Sequence, residues 1–322
     1  MASPGETAVA DTEVPLLVAH GQPHERDGLS ARLSMALAGL GNTGGRVVVA
    51  GGVKFGVYVP THGPYGDPAL LRDLAVAAEA AGWDGFFVWD ILTAYDDPEI
   101  ADPWVVLAAV AVATTRIALG PMVVALPRRH PAKVAIEART LQSLSAGRWI
   151  LGVGVGAGID YERFGDRTTR ADRAAKLDEG VVVLKAMLSG EPVDHAGEHY
   201  QVTGVRFEGV DVPVWTSGFW PRRGPVRGAL GAGGCFPQTP GSDEEFPLPT
   251  PADVAAFREA FVRAGGAAEH DVAIWSPTDT GAPDRARAPA YLEAGVTWWF
   301  QDGWKLPVAD LHRQIAAGPP KA

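Results

Sequence analysis

The chain is poor in cysteine, in long hydrophobic runs and in excess positive charge, and each shortage excludes a class of protein. Its one cysteine, Cys235, cannot form an intrachain disulfide or a cysteine-rich zinc site, so we expect a reducing compartment, the cytoplasm. No run approaches the roughly 18 apolar residues that a membrane span needs. With 28 Lys and Arg against 38 Asp and Glu, the net charge of −10 disfavours nucleic acid and a membrane surface as partners.

Aromatic residues are absent from residues 1–52, although the chain of 322 residues contains 10 Trp, 6 Tyr and 11 Phe. A segment without large side chains has little with which to anchor a core. At Val53 the pattern changes abruptly to a strand-like run. We therefore expect one folded domain over residues 53–322, preceded by a disordered N-terminal extension or an over-long gene start at 1–52.

Beyond residue 52, short β-branched or aromatic runs alternate with helical patterns, which predicts βα units around a parallel sheet. Eight strands are predicted, at 54–59, 85–89, 116–124, 149–155, 212–216, 233–236, 271–275 and 296–300. A predicted helix follows each one, at 67–81, 102–113, 131–145, 169–188, 222–231, 251–264, 283–294 and 308–317. The pattern predicts an α/β protein, a (β/α)₈ TIM barrel with an insertion after strand four at about 159–210.

Proline marks the start of several of these helices. It lies at the first helical position, where its missing N–H costs nothing, in Asp67-Pro68, Asp102-Pro103, His130-Pro131 and Thr250-Pro251. Gly82, Gly147 and Gly295 lie just past predicted helix ends. The high glycine and proline content is thus explained by helix boundaries and does not indicate disorder.

Ligand sites in barrels of this kind lie at the C-terminal ends of the strands. Asp90 directly follows the apolar run 86–89, where packing alone does not explain a carboxylate. His62 follows strand one and is either a general base or a structural histidine. We take Asp90 and His62 as the candidate catalytic residues.

Glycine occupies every second position in the stretch Gly152–Gly158 at predicted strand four. The stretch fits neither the dinucleotide fingerprint nor a phosphate-binding P-loop. One face of this strand therefore carries no side chains. Either a ligand or another backbone comes close to this face, or the face belongs to a crowded barrel interior. Arg128 and Arg129 follow strand three at the same rim. A phosphate held between Arg129 and the amides of 154–158 would account for both features.

Two further groups of residues have a structural as well as a functional interpretation. His195 and His199 have the spacing of a metal pair, but Pro192 and Gly197 predict a surface hairpin, so we expect no metal site. The aromatic residues Trp298, Trp299, Phe300 and Trp304 could line a pocket for a flat ligand or pack in the core. Cys235 is expected to be a buried, inert thiol.

Taken together, these residues resemble the bacterial luciferase-like monooxygenases, a family of (β/α)₈ barrels that use reduced flavin or the deazaflavin coenzyme F(420). The resemblance runs from Asp102 to Gly156. It rests on Thr115-Arg116-Ile117, Leu126-Pro127-Arg128-Arg129-His130-Pro131 and Leu144-Ser145-Ala146-Gly147-Arg148 ahead of the glycine strand. Weaker similarity covers the rest of 54–220, and 221–322 match by pattern only.

The resemblance implies an oxidoreductase or monooxygenase that uses reduced FMN, or alternatively coenzyme F(420), on a small organic substrate. It implies a cofactor site formed by Met122, Val123, Arg129, Gly154, Val155, Gly156, Gly158, Ser217 and Gly218. Within it, Arg129 would hold the anionic part of the cofactor, and Met122–Val123 would be joined by a non-proline cis peptide. The family also implies a homodimer and leaves open a flavin reductase as partner.

One departure from the family pattern lies at the end of strand two. The family usually has an acidic residue followed by His there, whereas this chain has Asp90-Ile91. A flavin-binding protein without turnover is therefore a second hypothesis. A barrel hydrolase or lyase is a third, and it lacks a metal cluster or an activated nucleophile in the sequence.

Overall fold

The structure, a computed structural model, describes residues 52–94, 98–239, 247–277 and 287–320. The proposed extension at 1–52 lies outside these residues except for Gly52. Nine parallel strands form one sheet, and two antiparallel strands form a hairpin. The strands are β1 (Lys54–Val59), β2 (Gly85–Val88), β3 (Ala118–Pro121), β4 (Val124–Ala125), β5 (Leu151–Gly154), β6 (Val193–Ala196), β7 (Gln201–Val205), β8 (Val214–Phe219), β9 (Gly234–Gln238), β10 (Asp271–Pro277) and β11 (Trp298–Asp302).

The parallel strands make an eight-stranded barrel, because β3 and β4 are two segments of one interrupted strand. The sheet order is β3-β2-β1-β11-β10-β9-β8-β5-β4, so the two segments stand at its two ends. β4 pairs with β5, and a parallel bridge between Leu119 and Trp149 joins β3 to the chain entering β5. The predicted (β/α)₈ barrel is confirmed, with all eight strands at their predicted places.

Helices alternate with the strands as predicted. They are α1 (Pro68–Ala80), α2 (Pro103–Ala113), α3 (Pro131–Leu144), α4 (Gly158–Glu162), α5 (Arg170–Ser189), α6 (Arg223–Leu230), α7 (Pro251–Arg263), α8 (Ala288–Glu293) and α9 (Val308–Ala316). Short 3₁₀ helices span Gly63–Tyr65 and Leu126–Arg128. Where the structure describes the chain, no helix is both long enough and apolar enough to cross a membrane.

The residues before the four helix-starting prolines cap their helices. The Asp67 carboxylate accepts from the Ala69 N–H at 2.8 Å, and Asp102 accepts from two backbone N–H groups. Thr250 forms a reciprocal capping box with Asp253. These contacts satisfy N–H groups that a helix start otherwise leaves without partners.

The region predicted as an insertion, about 159–210, contains α4, the 20-residue helix α5 and the hairpin β6–β7. His195 lies in this hairpin, where its Nε2 is 2.9 Å from Oε1 of Glu179 on α5. The same Glu179 accepts backbone N–H groups of His199 and Tyr200. Both histidines therefore lie in a hairpin that is fixed to α5.

Aromatic side chains fill the barrel interior. The inner cluster consists of Tyr58, Phe87, Met122, Ile150, Trp215, Phe236, Ala273, Trp275, Trp298 and Phe300. Phe87 and Phe300 lie closest, with ring centroids 4.5 Å apart. Of the aromatic group weighed from the sequence, Trp298 and Phe300 belong to this interior, and Trp299 packs in the outer core. The interior is solid, so any ligand must lie across its mouth.

Candidate active site

The alternating direction of side chains along each strand determines which residues point into the mouth of the barrel. Successive residues of a strand point to opposite faces, so the positions two beyond an interior residue also point inward. Asp302 therefore points inward above Phe300, Trp89 above Phe87 and Ser217 above Trp215, while Tyr58 lies in the top layer itself. Asp90, one residue beyond Trp89, belongs to the outer side of the barrel wall.

The break in strand three lies at the peptide between Met122 and Val123, which is cis, as the resemblance implied. The Tyr58 hydroxyl donates to the Met122 carbonyl oxygen at 2.6 Å. Burial, followed by the nearby Asp302 carboxyl, raises the pKa of Tyr58 well above its usual value. Tyr58 therefore stays protonated and can serve as a fixed donor to this carbonyl.

The glycine face of β5 lies against this break. A Cβ at Gly154 would lie 2.7 Å from Cγ2 of Val123, and one at Gly152 would lie 2.5 Å from the Pro121 carbonyl oxygen. Of the two explanations weighed from the sequence, the close approach of another backbone and its side chains accounts for Gly152 and Gly154. Gly158, by contrast, has only Oε1 of Glu162 near its Cβ position, at 3.7 Å.

Asp90 and Arg129 form a buried ion pair behind the mouth. The Arg129 Nη2 lies 3.0 Å from Oδ1 of Asp90, and the Ala125 N–H donates to Oδ2 at 3.3 Å. The Arg129 guanidinium also lies 5.7 Å from the Trp104 ring centroid. Both Asp90 oxygens are thus engaged, so Asp90 holds a guanidinium in place and presents no unoccupied oxygen to the mouth.

Arg128 extends the pair into a network. Its Nη1 contacts Oδ2 of Asp160 at 2.7 Å, and its Nη2 donates to the Asp90 carbonyl oxygen at 3.3 Å. Asp160 also accepts the N–H groups of Leu92 and Thr93. Burial raises the pKa of Asp160, against the opposing effect of Arg128 and these N–H groups. The network ties together the loops that follow β2, β4 and β5. Sequence spacing alone gave no indication that Asp160 belongs to the site.

His62 contacts Trp89, the residue before Asp90. It is half-buried, precedes the 3₁₀ turn Gly63–Tyr65, and its ring centroid is 5.8 Å from that of Trp89. Trp304 packs on the same indole at 5.7 Å. Trp89 Nε1 is buried and has no hydrogen-bond partner among the described residues. The aromatic rim thus offers a buried donor to a ligand.

Asp302 is the acidic side chain at the mouth to which the sequence assigned no role. It is 1% exposed, accepts the Trp304 N–H at 3.0 Å through Oδ1, and its Oδ2 has no partner within the described chain. Burial raises its pKa to about 8, against the effects of that N–H and of Lys305. The sequence feature that indicates Asp302 is the same one that indicates Asp90: each is a carboxylate at the end of an apolar strand.

The remaining expected site residues surround the mouth. Val155, Gly156, Ser217 and Gly218 are half-buried, and Ser217 Cβ lies 3.6 Å from the Cβ position of Gly154. The Tyr161 hydroxyl donates to the Val155 carbonyl oxygen at 2.7 Å. Cys235 is fully buried, and burial raises its thiol pKa. In the described ranges, no group of three or more His, Cys, Asp and Glu is placed to hold a metal ion.

The arginine of the Leu144–Arg148 motif has a structural role. Arg148 donates to the carbonyl oxygens of Ala111, Thr114 and Ile117 and to Oγ1 of Thr114, at 2.8–3.0 Å. It also donates to the Ser145 carbonyl oxygen at 2.7 Å. These acceptors lie at the end of α2 and before β3, at the bottom of the barrel. The most specific motif of the resemblance therefore holds the fold together and does not touch the site.

Comparison with known families gives a match over most of the chain. Residues 53–282 match the family model described as luciferase-like monooxygenase. The F(420)-dependent glucose-6-phosphate dehydrogenase of Beutenbergia cavernae is 32% identical over 244 residues, or 72% of this chain and 69% of that protein. That of Nakamurella multipartita is 36% identical over 140 residues, or 42% and 41%. The matches cover between 41% and 69% of these relatives' own length.

A third relative has a different named substrate. The F(420)-dependent hydroxymycolic acid dehydrogenase of Mycobacterium tuberculosis is 30% identical over 169 residues, or 49% of this chain and 46% of that protein. Among solved structures, an F(420)-dependent secondary alcohol dehydrogenase in complex with an F(420)–acetone adduct superposes with a TM-score of 0.67. It is 16% identical and covers 83% of this chain and 99% of its own, a likeness that shows the fold alone.

Proposed function

Because the chain belongs to the luciferase-like monooxygenase family, we propose that it is an oxidoreductase that uses coenzyme F(420) to oxidise or reduce a small organic substrate. The observation that carries the proposal is that its relatives at 30–36% identity are named F(420)-dependent dehydrogenases. These names favour coenzyme F(420) over the reduced FMN expected from the sequence. The substrate class follows the named substrates, which carry hydroxyl groups.

The mouth of the barrel has features that fit a flat tricyclic cofactor. Its floor is the buried layer Tyr58, Met122, Trp275 and Phe300, and its rim is half-exposed. An apolar floor with a few polar groups at the edge is typical of cofactor sites. Trp89 Nε1 and Asp302 Oδ2 are buried polar atoms that lack partners among the described residues, so a bound ring with polar edges would satisfy them.

We assign the cofactor to the strand ends named by the resemblance. Met122, Val123, Gly154, Val155, Gly156, Gly158, Ser217 and Gly218 would line its site. Arg129 would supply positive charge from behind strand three, held by Asp90. Coenzyme F(420) supplies a two-electron hydride acceptor or donor when bound.

The protein's own part is to place the substrate, exclude water and move one proton. Trp89 and Trp304 wall the mouth on the side of His62. An alcohol that loses a hydride must also lose its hydroxyl proton, and His62 is the half-exposed group there that can accept it. This assigns to His62 the proton transfer that the family usually gives to the histidine replaced by Ile91. Asp90 acts through Arg129 as a positioning residue.

An anaerobic titration tests the proposal. Coenzyme F(420), FMN and reduced FMN are added separately, and absorbance reports binding. We expect coenzyme F(420) to bind more tightly than either flavin, and its visible absorbance to fall when an alcohol or sugar-phosphate substrate is supplied. His62→Asn should lower kcat and leave the affinity for the coenzyme unchanged. Tight binding of FMN without binding of coenzyme F(420) would refute the proposal.

We also propose a homodimer through the outer face of α2. Val105 and Val112 are two turns apart on this face and are 67% and 68% exposed, and Ile136 is exposed on the adjacent α3. Large apolar side chains gathered on the surface of neighbouring helices are typical of a protein interface. The partner that fits this surface is a second copy of the chain, as expected from the resemblance.

A further inference from the structure

Two arginines at the mouth of the barrel lie over aromatic rings. The Arg170 guanidinium carbon is 4.4 Å from the ring centroid of Phe219, the last residue of β8. The Arg173 guanidinium carbon is 4.3 Å from that of Tyr161, whose hydroxyl binds the Val155 carbonyl after β5. Both arginines thus lie where neighbouring barrel strands end.

Arg222 brings a third guanidinium to the same place. Its backbone N–H donates to the Phe219 carbonyl oxygen at 3.0 Å, and its side chain is exposed. The pKa of Arg170 is lowered first by burial and then by the nearby positive charges of Arg222 and Arg173. The three side chains therefore crowd positive charge together, in a chain whose net charge is −10.

Among the described residues, the three side chains of this cluster form no ion pair, although the charge of Arg173 is one of the effects that lower the pKa of the Asp166 carboxyl. No carboxylate within the described ranges forms an ion pair with Arg170, Arg173 or Arg222, whereas Arg72, Arg128, Arg129 and Arg313 each have at least one. Arg173 Nε is moreover buried and has no hydrogen-bond partner there. Stacking uses the face of a guanidinium and leaves its N–H edge able to bind a phosphate or carboxylate.

The cluster adjoins the proposed cofactor site. Phe219 is two residues, or about 7 Å of extended chain, beyond Ser217. Tyr161 fixes Val155, which belongs to the same proposed site and follows the neighbouring strand β5. Arg129 is committed to Asp90, so it does not supply the free anion clamp that the sequence suggested. An anionic group that projects from a ligand in the mouth toward β8 would meet Arg170 and Arg222.

We propose that Arg170, Arg173 and Arg222 form an anion site at the mouth of the barrel for a phosphate or carboxylate group of the bound ligand. The inference rests on the proposed function in one respect: the anion is carried either by the tail of the coenzyme or by a phosphorylated substrate. In both cases the cluster would bind a phosphate or carboxylate group.

The test compares the wild-type protein with Arg170→Gln/Arg222→Gln and with the matched control Arg72→Gln/Arg313→Gln. Both arginines of the control are exposed and paired with a nearby aspartate, so the net charge changes equally. The probes are coenzyme F(420), its deazaflavin without phosphate and tail, glucose 6-phosphate and inorganic pyrophosphate. Absorbance reports deazaflavin binding, and calorimetry reports binding of the anions.

We expect the wild-type protein and the control to bind the complete coenzyme at least about tenfold more tightly than the deazaflavin without a tail. The site variant should lose most of this ratio if the coenzyme supplies the anion. If the substrate supplies it, the ratio stays and the affinity for glucose 6-phosphate and pyrophosphate falls instead. Equal behaviour of site variant and control with every probe overturns the proposal.

Failure of the proposed function gives a different result. A wild-type protein that binds neither deazaflavin contradicts the use of coenzyme F(420), and the pyrophosphate titration still tests the anion site by itself. Thermal unfolding of each variant checks folding. Arg222→Gln alone is the fallback variant, because its exposed side chain makes no ion pair in the described chain.

Discussion

The guanidinium of Arg129 reaches the carboxylate of Asp90 across 3.0 Å, joining the end of strand two to the turn after strand three. The sequence places both residues at strand ends and indicates Asp90 as a reacting group and Arg129 as an anion clamp. Their pairing changes how each is understood. The aspartate orients the arginine, and the pair links the two loops behind the barrel wall.

Replacing Asp90 with Asn should weaken both the fold and the site. The Arg129 and Arg128 guanidinium groups would lose a buried counter-charge, for which we expect a loss of about 2 kcal/mol in the free energy of unfolding. Affinity for coenzyme F(420) should also fall. Chemical denaturation and the absorbance titration measure the two effects. Asp73→Asn, at an exposed pair with Arg72, should change stability by less than about 0.5 kcal/mol.

Replacing Arg148 with Gln should destabilise the barrel without a direct effect on the site. The change leaves the carbonyl oxygens at the end of α2 without donors, which predicts a loss of about 3 kcal/mol or more. Denaturant titration measures it, with Arg313→Gln, an exposed position on α9, as a control. If Arg148→Gln lowered coenzyme affinity while stability stayed intact, the structural role of Arg148 would be wrong.

Replacing Gly154 with Ala tests the contact between β5 and the break in strand three. The added methyl would lie 2.7 Å from Val123 Cγ2, so the mouth must shift, at a cost of about 1–3 kcal/mol. Gly158→Ala is the matched control, since the space around its Cβ position is open. Thermal melts should separate the two variants, and equal melting temperatures would contradict the packing described here.

Replacing Asp302 with Asn should raise stability in neutral solution. The folded-state pKa is about 8 against an ordinary value of 3.8, so the unfolded chain loses this proton first as the pH rises. Asp302 therefore lowers the free energy of unfolding by up to about 1.4 kcal/mol per pH unit between these values. The variant should lose this slope, and its advantage should grow up to about pH 8. Parallel pH-dependent profiles for the two proteins would show that Asp302 does not titrate as described.

Replacing Val112 with Glu should weaken the proposed dimer. A charge in an apolar contact between two copies costs desolvation without a partner, so we expect a shift toward monomer in analytical ultracentrifugation. Val182→Glu on α5, where the valine is 59% exposed, changes charge and hydrophobicity equally and should leave assembly unchanged. Monomeric wild-type protein at high concentration would refute this interface.

Most of the fold could be predicted from local patterns in the sequence. The eight strands could be predicted because each is a short apolar run, and the helix starts because Asp67, Asp102 and Thr250 cap their own helices. The interruption of strand three was accessible only through the family resemblance. Gly152 and Gly154 lie against this interruption. They must be glycine because Pro121 and Val123, about 30 residues earlier in the chain, occupy the space that a side chain would need.

The site was less predictable, because its chemistry depends on contacts between loops distant in sequence. Asp90 and Arg129 could each be chosen from their positions, but nothing in their spacing showed that they pair. The burial that raises the pKa of Asp302 comes from the surrounding barrel, not from its neighbours in the chain. Arg170 and Arg222 are 52 positions apart in the chain, and both contact Phe219.

The aromatic filling of the barrel gives the protein an internal optical reporter. Trp89 and Trp304 line the mouth, and Trp275 and Trp215 lie in the layers beneath it. A deazaflavin or flavin seated there would absorb in the range in which indoles emit, at distances short enough for efficient energy transfer. Occupancy of the mouth can therefore be followed through the protein's own fluorescence, with no label and before any substrate is identified.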